Sequence, residues 1–305
     1  MMKETVMQWL REAGVYRAGV AALEPVLPAM DKAYARWIEA GRHGGMSYME
    51  RYADVRRNPR LLLDGAISLI SCAFPYYYPL DSEPVMARYA LGDDYHDVVR
   101  RRLEDVAEKM RAQWRCATRV CVDTAPLRER YWAVRAGVGF VGRNNQLIVP
   151  GGGSYFLLGE ILTTLEIVPD EPCRLACGDC GACVTACPAG ALDGADNALD
   201  ARRCLSCLTI EHRGDFPPGT RLHGHLYGCD ECQRVCPHNA HPAVSSIPEF
   251  RPRPAVAGMT PERVAGLSQA EFSAIFVRSA VKRAKLAGLQ RNAKAILDDK
   301  NRTVK

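Results

Sequence analysis

Apolar positions follow two different periods along this chain. Residues 66–74 (AISLISCAF) form a largely apolar run after the turn signal Asp64-Gly65, which predicts a buried strand. A loop rich in Pro and Tyr, residues 75–79, follows it. Val99, Leu103, Val106, Ala107, Met110 and Trp114 then recur at helical spacing and predict a long amphipathic helix. Residues 119–122 read as a short strand that ends at Asp123. Pro126 predicts the start of another helix, running to about Arg135 and stopped by Gly137 and Gly139. Residues 147–149 and 155–167 read as strands joined by a turn at Gly151-Gly152-Gly153. The first fifteen residues read as an amphipathic helix. Pro-rich residues 241–254 lead into C-terminal helices, one of them over 261–278. Strands and helices in this order predict an α+β architecture.

Composition narrows the class. The 305 residues are 48% hydrophobic and 25% charged, which suits one large soluble domain with a smaller one. No run of about 18 uncharged apolar residues occurs, so no membrane span is expected. The N-terminal segment lacks the apolar core and cleavage site of a signal peptide, and a cytoplasmic location is expected. In that compartment the 13 cysteines read as metal ligands rather than disulfides. Charge is uneven. Residues 251–305 hold 12 Lys/Arg against 4 Asp/Glu, whereas the whole chain is only +5. A basic tail on a mildly acidic body points to a polyanion, nucleic acid first, against the plainer reading of a solvated helix face.

The chemistry lies in cysteine spacing. Cys177, Cys180, Cys183 and Cys187 run as C-x-x-C-x-x-C-x-x-x-C, with Pro188 next. Cys229, Cys232 and Cys236 precede Pro237, and Cys204 and Cys207 lie upstream. Three cysteines two residues apart let one loop reach three irons of a cubane, and in two-cluster ferredoxins the fourth cysteine of each run crosses to the other cluster. Applied here, Cys177, Cys180, Cys183 and Cys236 hold one 4Fe–4S cluster. Cys187, Cys229 and Cys232 hold the second, with Cys204 and Cys207 competing for its last place. Zinc is the rival, but a triple spacing followed by Cys-Pro fits a zinc site poorly. The module spans about 170–240. Cys72 and Cys121 fall in predicted strands and read as small buried hydrophobes. Asp123, at a strand end before a helix, is either a cleft carboxylate or a helix N-cap. The glycines at 137, 139 and 142 follow a helix rather than a strand, so they fail the dinucleotide-fold test and serve a close approach or plain turns.

Taken together, SYMERYADVRRNPRLLLDGAISLI, ARYALGDDYHDVVRRRLEDVAE, DTAPLRERYWAVRAGVGFVGRNNQLI, GSYFLLGEILT, the cysteine runs and DARRCLSCLTIEHRG resemble the epoxyqueuosine reductase family over most of residues 45–295. The resemblance implies a cobalamin-binding domain at 1–169, distantly nitroreductase-like and related to corrinoid reductive dehalogenases. A ferredoxin-like module at 170–240 and a basic helical segment at 241–305 complete the chain. Some family members add C-terminal helical repeats, which this sequence is expected to lack. The resemblance implies reduction of epoxyqueuosine to queuosine at the tRNA wobble position, with electrons from an external donor such as a ferredoxin or flavodoxin. It also implies Cys204 as the remaining ligand, where the family usually carries an aromatic residue at the place of Cys207.

By the same resemblance Asp123 is the proton donor, kept protonated by burial beside the corrin. Arg130, Arg143, Asn144 and Ser154 are the further candidates for holding the cofactor. Tyr95-His96 is expected near it, the histidine as a hydrogen-bonded residue rather than a cobalt ligand. Arg278, Lys282, Arg283, Lys285 and Arg291 are the candidates for RNA phosphates. The alternatives are a dehalogenase-like reductase of a small molecule, or a ferredoxin-type carrier. The second leaves about 170 N-terminal residues without a task.

Overall fold

A computed structural model describes residues 1–192 and 198–303. Its centre is a four-stranded sheet of order β1-β2-β6-β3, antiparallel throughout, made of Arg17–Ala22, Ser68–Pro75, Phe156–Thr163 and Thr118–Cys121. The apolar run at 66–74 is the inner strand β2, and all eight of its residues are buried. Alternation along β2 serves two faces. Ile70, Cys72 and Phe74 pack on α1 (Met2–Glu12) and α4 (Tyr95–Trp114) through Val6, Leu10, Val99, Leu103 and Met110. Leu69 and Ala73 face α5 (Glu129–Arg135) through Trp132, Ala133 and Ala136. The result is an α/β sandwich of three layers. Helices α2 (Pro28–Glu39) and α3 (Ala53–Arg57) lie between β1 and β2 in sequence. Cys72 and Cys121 are fully buried apolar fillers, as their strand positions suggest.

Three local expectations change. α5 begins at Glu129, not at Pro126. Asp123 takes a left-handed backbone (φ +50), and two tight turns, Thr124 N–H to Val122 O and Leu127 N–H to Ala125 O, use up the chain before a helix can start. The strand expected over 155–167 ends at Thr163, and the Gly151–Gly153 turn before it is closed by an antiparallel bridge between Val149 and Gly153. β5 (Leu147–Ile148) pairs with β4 (Phe140–Val141), because glycine at 139 lets the Ile148 carbonyl approach to where a Cβ would lie 2.3 Å away. The close-packed glycines at 139 and 142 therefore serve this small hairpin. The segment 261–278 is two helices, α10 (Pro261–Ala265) and α11 (Gln269–Ile275), split by a Ser268/Glu271 capping box.

The cysteine-rich part contributes α6 (Ala182–Ala186), α7 (Leu205–Ile210) and α8 (Glu231–Arg234). The C-terminal segment adds α9 (Pro254–Ala257) before α10 and α11, and α12 (Lys285–Thr303) after them. It shares one apolar core with Met86, Leu91, Leu205, Leu226 and Tyr227. Asn292 of α12 is fully buried and donates to the carbonyls of Thr209 (2.8 Å) and Leu226 (3.0 Å). Replacing it by Ala strands two buried acceptors, and a loss of about 3 kcal/mol is expected. A fall in the apparent melting temperature of the anaerobic protein checks this. No helix among the described residues is long and apolar enough to cross a membrane.

Candidate active site and cluster cages

Asp123 sits at the C-terminal end of β3, with half of its side-chain surface open (53%). Its Oδ2 accepts from the Tyr95 hydroxyl (3.0 Å) and from His96 Nε2 (2.9 Å). The other ring nitrogen, Nδ1, lies 2.7 Å from Oδ1 of Asp94, which also caps α4 by accepting the His96 N–H. Both nitrogens of His96 thus face carboxylate oxygens, which only accept. The doubly protonated ring is the form that satisfies both bonds. Burial opposes that charge, but Asp123 and Asp94 outweigh it and push the His96 pKa up to about 9. Burial would likewise raise Asp123, yet His96, Tyr95 and Arg283 hold it below the ordinary carboxylate range. These shifts favour the proton on His96 and the anion on Asp123, the reverse of an Asp123 kept protonated by burial. Nor is Asp123 an N-cap, since Arg128 occupies that position of α5.

Around this pair stand groups that sequence alone did not single out. Glu129 accepts the Asp123 amide at 2.6 Å, and burial with the nearby Asp123 charge pushes its pKa up to about 8. Glu160 of β6 is fully buried; it accepts from Ser71 Oγ (3.3 Å), and burial with Glu129 holds it neutral. Arg130, next to Glu129, donates to the Asn145 carbonyl. Arg283 pairs with Glu211 (2.7 Å) and covers the Tyr48 ring. The Asp-Asp-Tyr-His capping pattern at 93–96 was the available signal for Asp94. Nothing in the spacing announced Glu129.

The remaining candidates lie elsewhere. Arg143 and Asn144 line a cavity together with Cys177, Cys180, Cys183 and Cys236. Asn144 is buried and donates to the Cys232 carbonyl (3.2 Å). Ser154 is also buried; its amide donates to Asn239 Oδ1 (2.7 Å), while its hydroxyl receives Asn239 Nδ2 (2.9 Å) and its carbonyl receives Gln233 Nε2 (2.9 Å). Asn144 and Ser154 thus hold the cysteine-rich part against the β4–β6 region, and Asn144 also lines the second cavity described next, whereas Arg130 lies within electrostatic reach of Asp123. Arg291 is spent inside the fold. It donates to the carbonyls of Leu208, His212 and Gly214 and stacks on Phe216.

A second cavity is lined by Cys187, Cys204, Cys229 and Cys232 together with Tyr89 and Tyr95. Cys207 does not line it. Burial raises the thiols of Cys183 and Cys236 in the first group and of Cys204, Cys229 and Cys232 in the second, and neighbours raise them further: Cys177 acts on Cys183 and Cys236, and Cys187 and Cys204 act on Cys232. Cys187 Sγ already accepts the Ala191 amide (3.2 Å). Such a donor stabilises thiolate charge.

Two cavities, each lined by four of the cysteines, together with the Asp123–His96 pair, have the make-up of an iron–sulfur oxidoreductase. Residues 176–239 match the model of a 4Fe-4S double cluster binding domain. Residues 56–124 match "Epoxyqueuosine reductase QueG, DUF1730". An epoxyqueuosine reductase of Leadbetterella byssophila is 36% identical over 94% of this chain and 95% of its own length. One from Synechococcus sp. (strain CC9605) is 37% identical over 99% and 97%. A crystal structure of epoxyqueuosine reductase with an epoxyqueuosine-modified tRNA-Tyr stem loop superposes with a TM-score of 0.89, at 31% identity over 97% of this chain and 80% of that one. The Bacillus subtilis enzyme, solved with its catalytic aspartate loop swung out of the active site, gives 0.90 at 30% identity over 97% and 81%. The chain belongs to the epoxyqueuosine reductase family.

Proposed function

We propose that the chain reduces epoxyqueuosine in tRNA to queuosine, with Asp123 and His96 supplying the proton that the departing oxygen needs. The observation that carries this reading is the second cavity, whose lining includes both four cysteines and Tyr95, the residue that donates to Asp123. The net change adds two electrons and two protons to the epoxide and releases water. An alkoxide leaves badly from carbon, so a positioned acid is required. His96 holds a proton on Nε2 against Asp123 Oδ2, and Tyr95 fixes the same oxygen. The second carboxylate oxygen takes no hydrogen bond among the described residues and is open to a substrate oxygen or a water.

Cobalamin is the cofactor that the family resemblance implies. Arg130, Gln146, Tyr95 and Asp123 are the residues that would face it; the Gln146 amide lines the second cavity and makes no side-chain hydrogen bond among the described residues. When bound, cobalamin supplies strongly reducing chemistry at cobalt. We take residues 1–169 as this nitroreductase-like, cobalamin-binding part. Cys177, Cys180, Cys183 and Cys236 would hold one 4Fe–4S cluster, and Cys187, Cys204, Cys229 and Cys232 the other, as the lining of the two cavities supports. Anaerobic reconstitution with iron, sulfide and cobalamin, followed by turnover of an epoxyqueuosine-containing stem loop, tests the reading. Zinc in the cages, or no retained cobalamin, would overturn it.

The RNA partner and an external electron donor complete the reading. Among the basic residues of the C-terminal segment, Lys282 and Lys285 are exposed near Arg283 and the Asp123 site. Reversing both to Glu should weaken stem-loop binding and reduce its salt slope by about two. Affinity measured across a salt series checks this.

A further inference from the structure

Asp123 is a non-glycine residue held at φ +50, a conformation that costs an ordinary side chain about 1 kcal/mol or more. Something must hold it there. The following turns are local, and the Thr124 hydroxyl donates to the Val122 carbonyl within the same loop (3.3 Å) and meets a long contact from Arg100 (3.5 Å). Among the described residues, the shortest side-chain bond to the backbone of this loop, and the one that comes from a separate element, is from the Asp123 amide to Glu129 Oε1 (2.6 Å). Glu129 begins α5, and α5 is anchored to the sheet through the fully buried Trp132 and Ala133. The acceptor is therefore mounted on a rigid element, and the donor on a strained loop end.

We propose that Glu129 is a positioning residue, a latch that fixes the backbone of Asp123 so that its carboxylate meets His96 and Tyr95. The proposal rests on the reading of Asp123 as part of the proton-delivering pair. The charged groups about the loop are Asp94, His96 and Arg100 from α4 and its cap, Glu129 and Arg130 from α5, and Arg283 from the C-terminal segment. Of these, Glu129 alone bonds the Asp123 main chain. Burial keeps Glu129 largely neutral at pH 7, so a glutamine amide has the same shape and the same acceptor. The relative whose catalytic aspartate loop is swung out of its active site shows that such a loop has a second position in this family. Release of the latch here favours departure of Asp123 from His96.

The test compares E129A, E129Q and E129D in the cluster-loaded protein. Hydrogen exchange of a peptide spanning residues 122–128 is followed beside turnover of the modified stem loop. In E129A the peptide should exchange at least about tenfold faster while peptides of β6 and α8 are unchanged, and kcat should fall about 100-fold, as a displaced catalytic group requires. E129Q should match the wild type in both. E129D, one methylene shorter, should behave as E129A and replaces it if E129A does not retain iron. Wild-type exchange in E129A or E129D, or an E129Q as impaired as E129A, overturns the latch. The two ideas separate cleanly. If D123N is fully active but E129A still loosens the peptide, the latch stands and the proton-donor role falls. If D123N is inactive and E129A exchanges normally, the reverse holds.

Discussion

Asp123→Asn is expected to lower turnover by about 10²- to 10⁴-fold, the usual worth of a positioned acid–base group. Iron content, the cobalamin spectrum and stem-loop affinity should stay at their wild-type values. Asparagine keeps the shape of the side chain but removes the anion that holds a proton on His96. The pH profile gives a second readout. His96 is raised to about 9, so its proton is present through neutrality and is lost as pH rises through that value. Asp123 is depressed and stays ionised across the same range. Wild-type kcat should be flat around neutrality and decline near pH 9, and the decline should move towards neutrality in the variant. Stability follows the same signs. The histidine contribution is complete below the free imidazole value of about 6.5 and disappears as pH rises through the folded value. The aspartate contribution is complete above the ordinary carboxylate value and disappears as pH falls through its depressed one.

The second large effect is at Cys204. Cys204→Ala should remove the second cluster's signature in the electron paramagnetic resonance spectrum of the reduced protein. Iron should drop from about eight atoms per chain to about half, and turnover should fall at least about 100-fold. Cys207→Ser should keep both clusters. The reason is spatial: Cys204 shares a cavity with Cys187, Cys229 and Cys232, while Cys207 lies one turn along α7, beside Glu211 and towards Tyr48. The opposite pattern of iron loss would exchange the two assignments.

Much of this molecule was legible before any coordinates. The apolar run of β2 and the helical spacing of α4 were plain because each buries a continuous face. The cysteine runs were plain because a cubane constrains spacing tightly. Asp123 stood out by its family motif. What stayed hidden depends on contacts between distant residues. His96 and Asp123 are 27 positions apart, and no local pattern states that both ring nitrogens meet carboxylates. Ser154 and Asn144 sit in a glycine-rich loop that reads as a ligand-binding edge. Only the fold shows that their polar atoms are consumed by Asn239, Gln233 and the Cys232 carbonyl. Glu160 is a lone acid in the apolar strand sequence FLLGEILT, and nothing in the spacing singled it out. Arg291 counted as free charge in the sequence, yet three carbonyls and a ring occupy it.

The Ser154–Gln233–Asn239 contacts reach further than packing. Gln233 belongs to α8, the same short helix that carries Cys232, and Ser154 lies two residues before β6. A cluster held by Cys232, as proposed, would thereby be tied through buried hydrogen bonds to the sheet that carries Asp123. Such bonds would set its distance from the site without any swing of one lobe towards another.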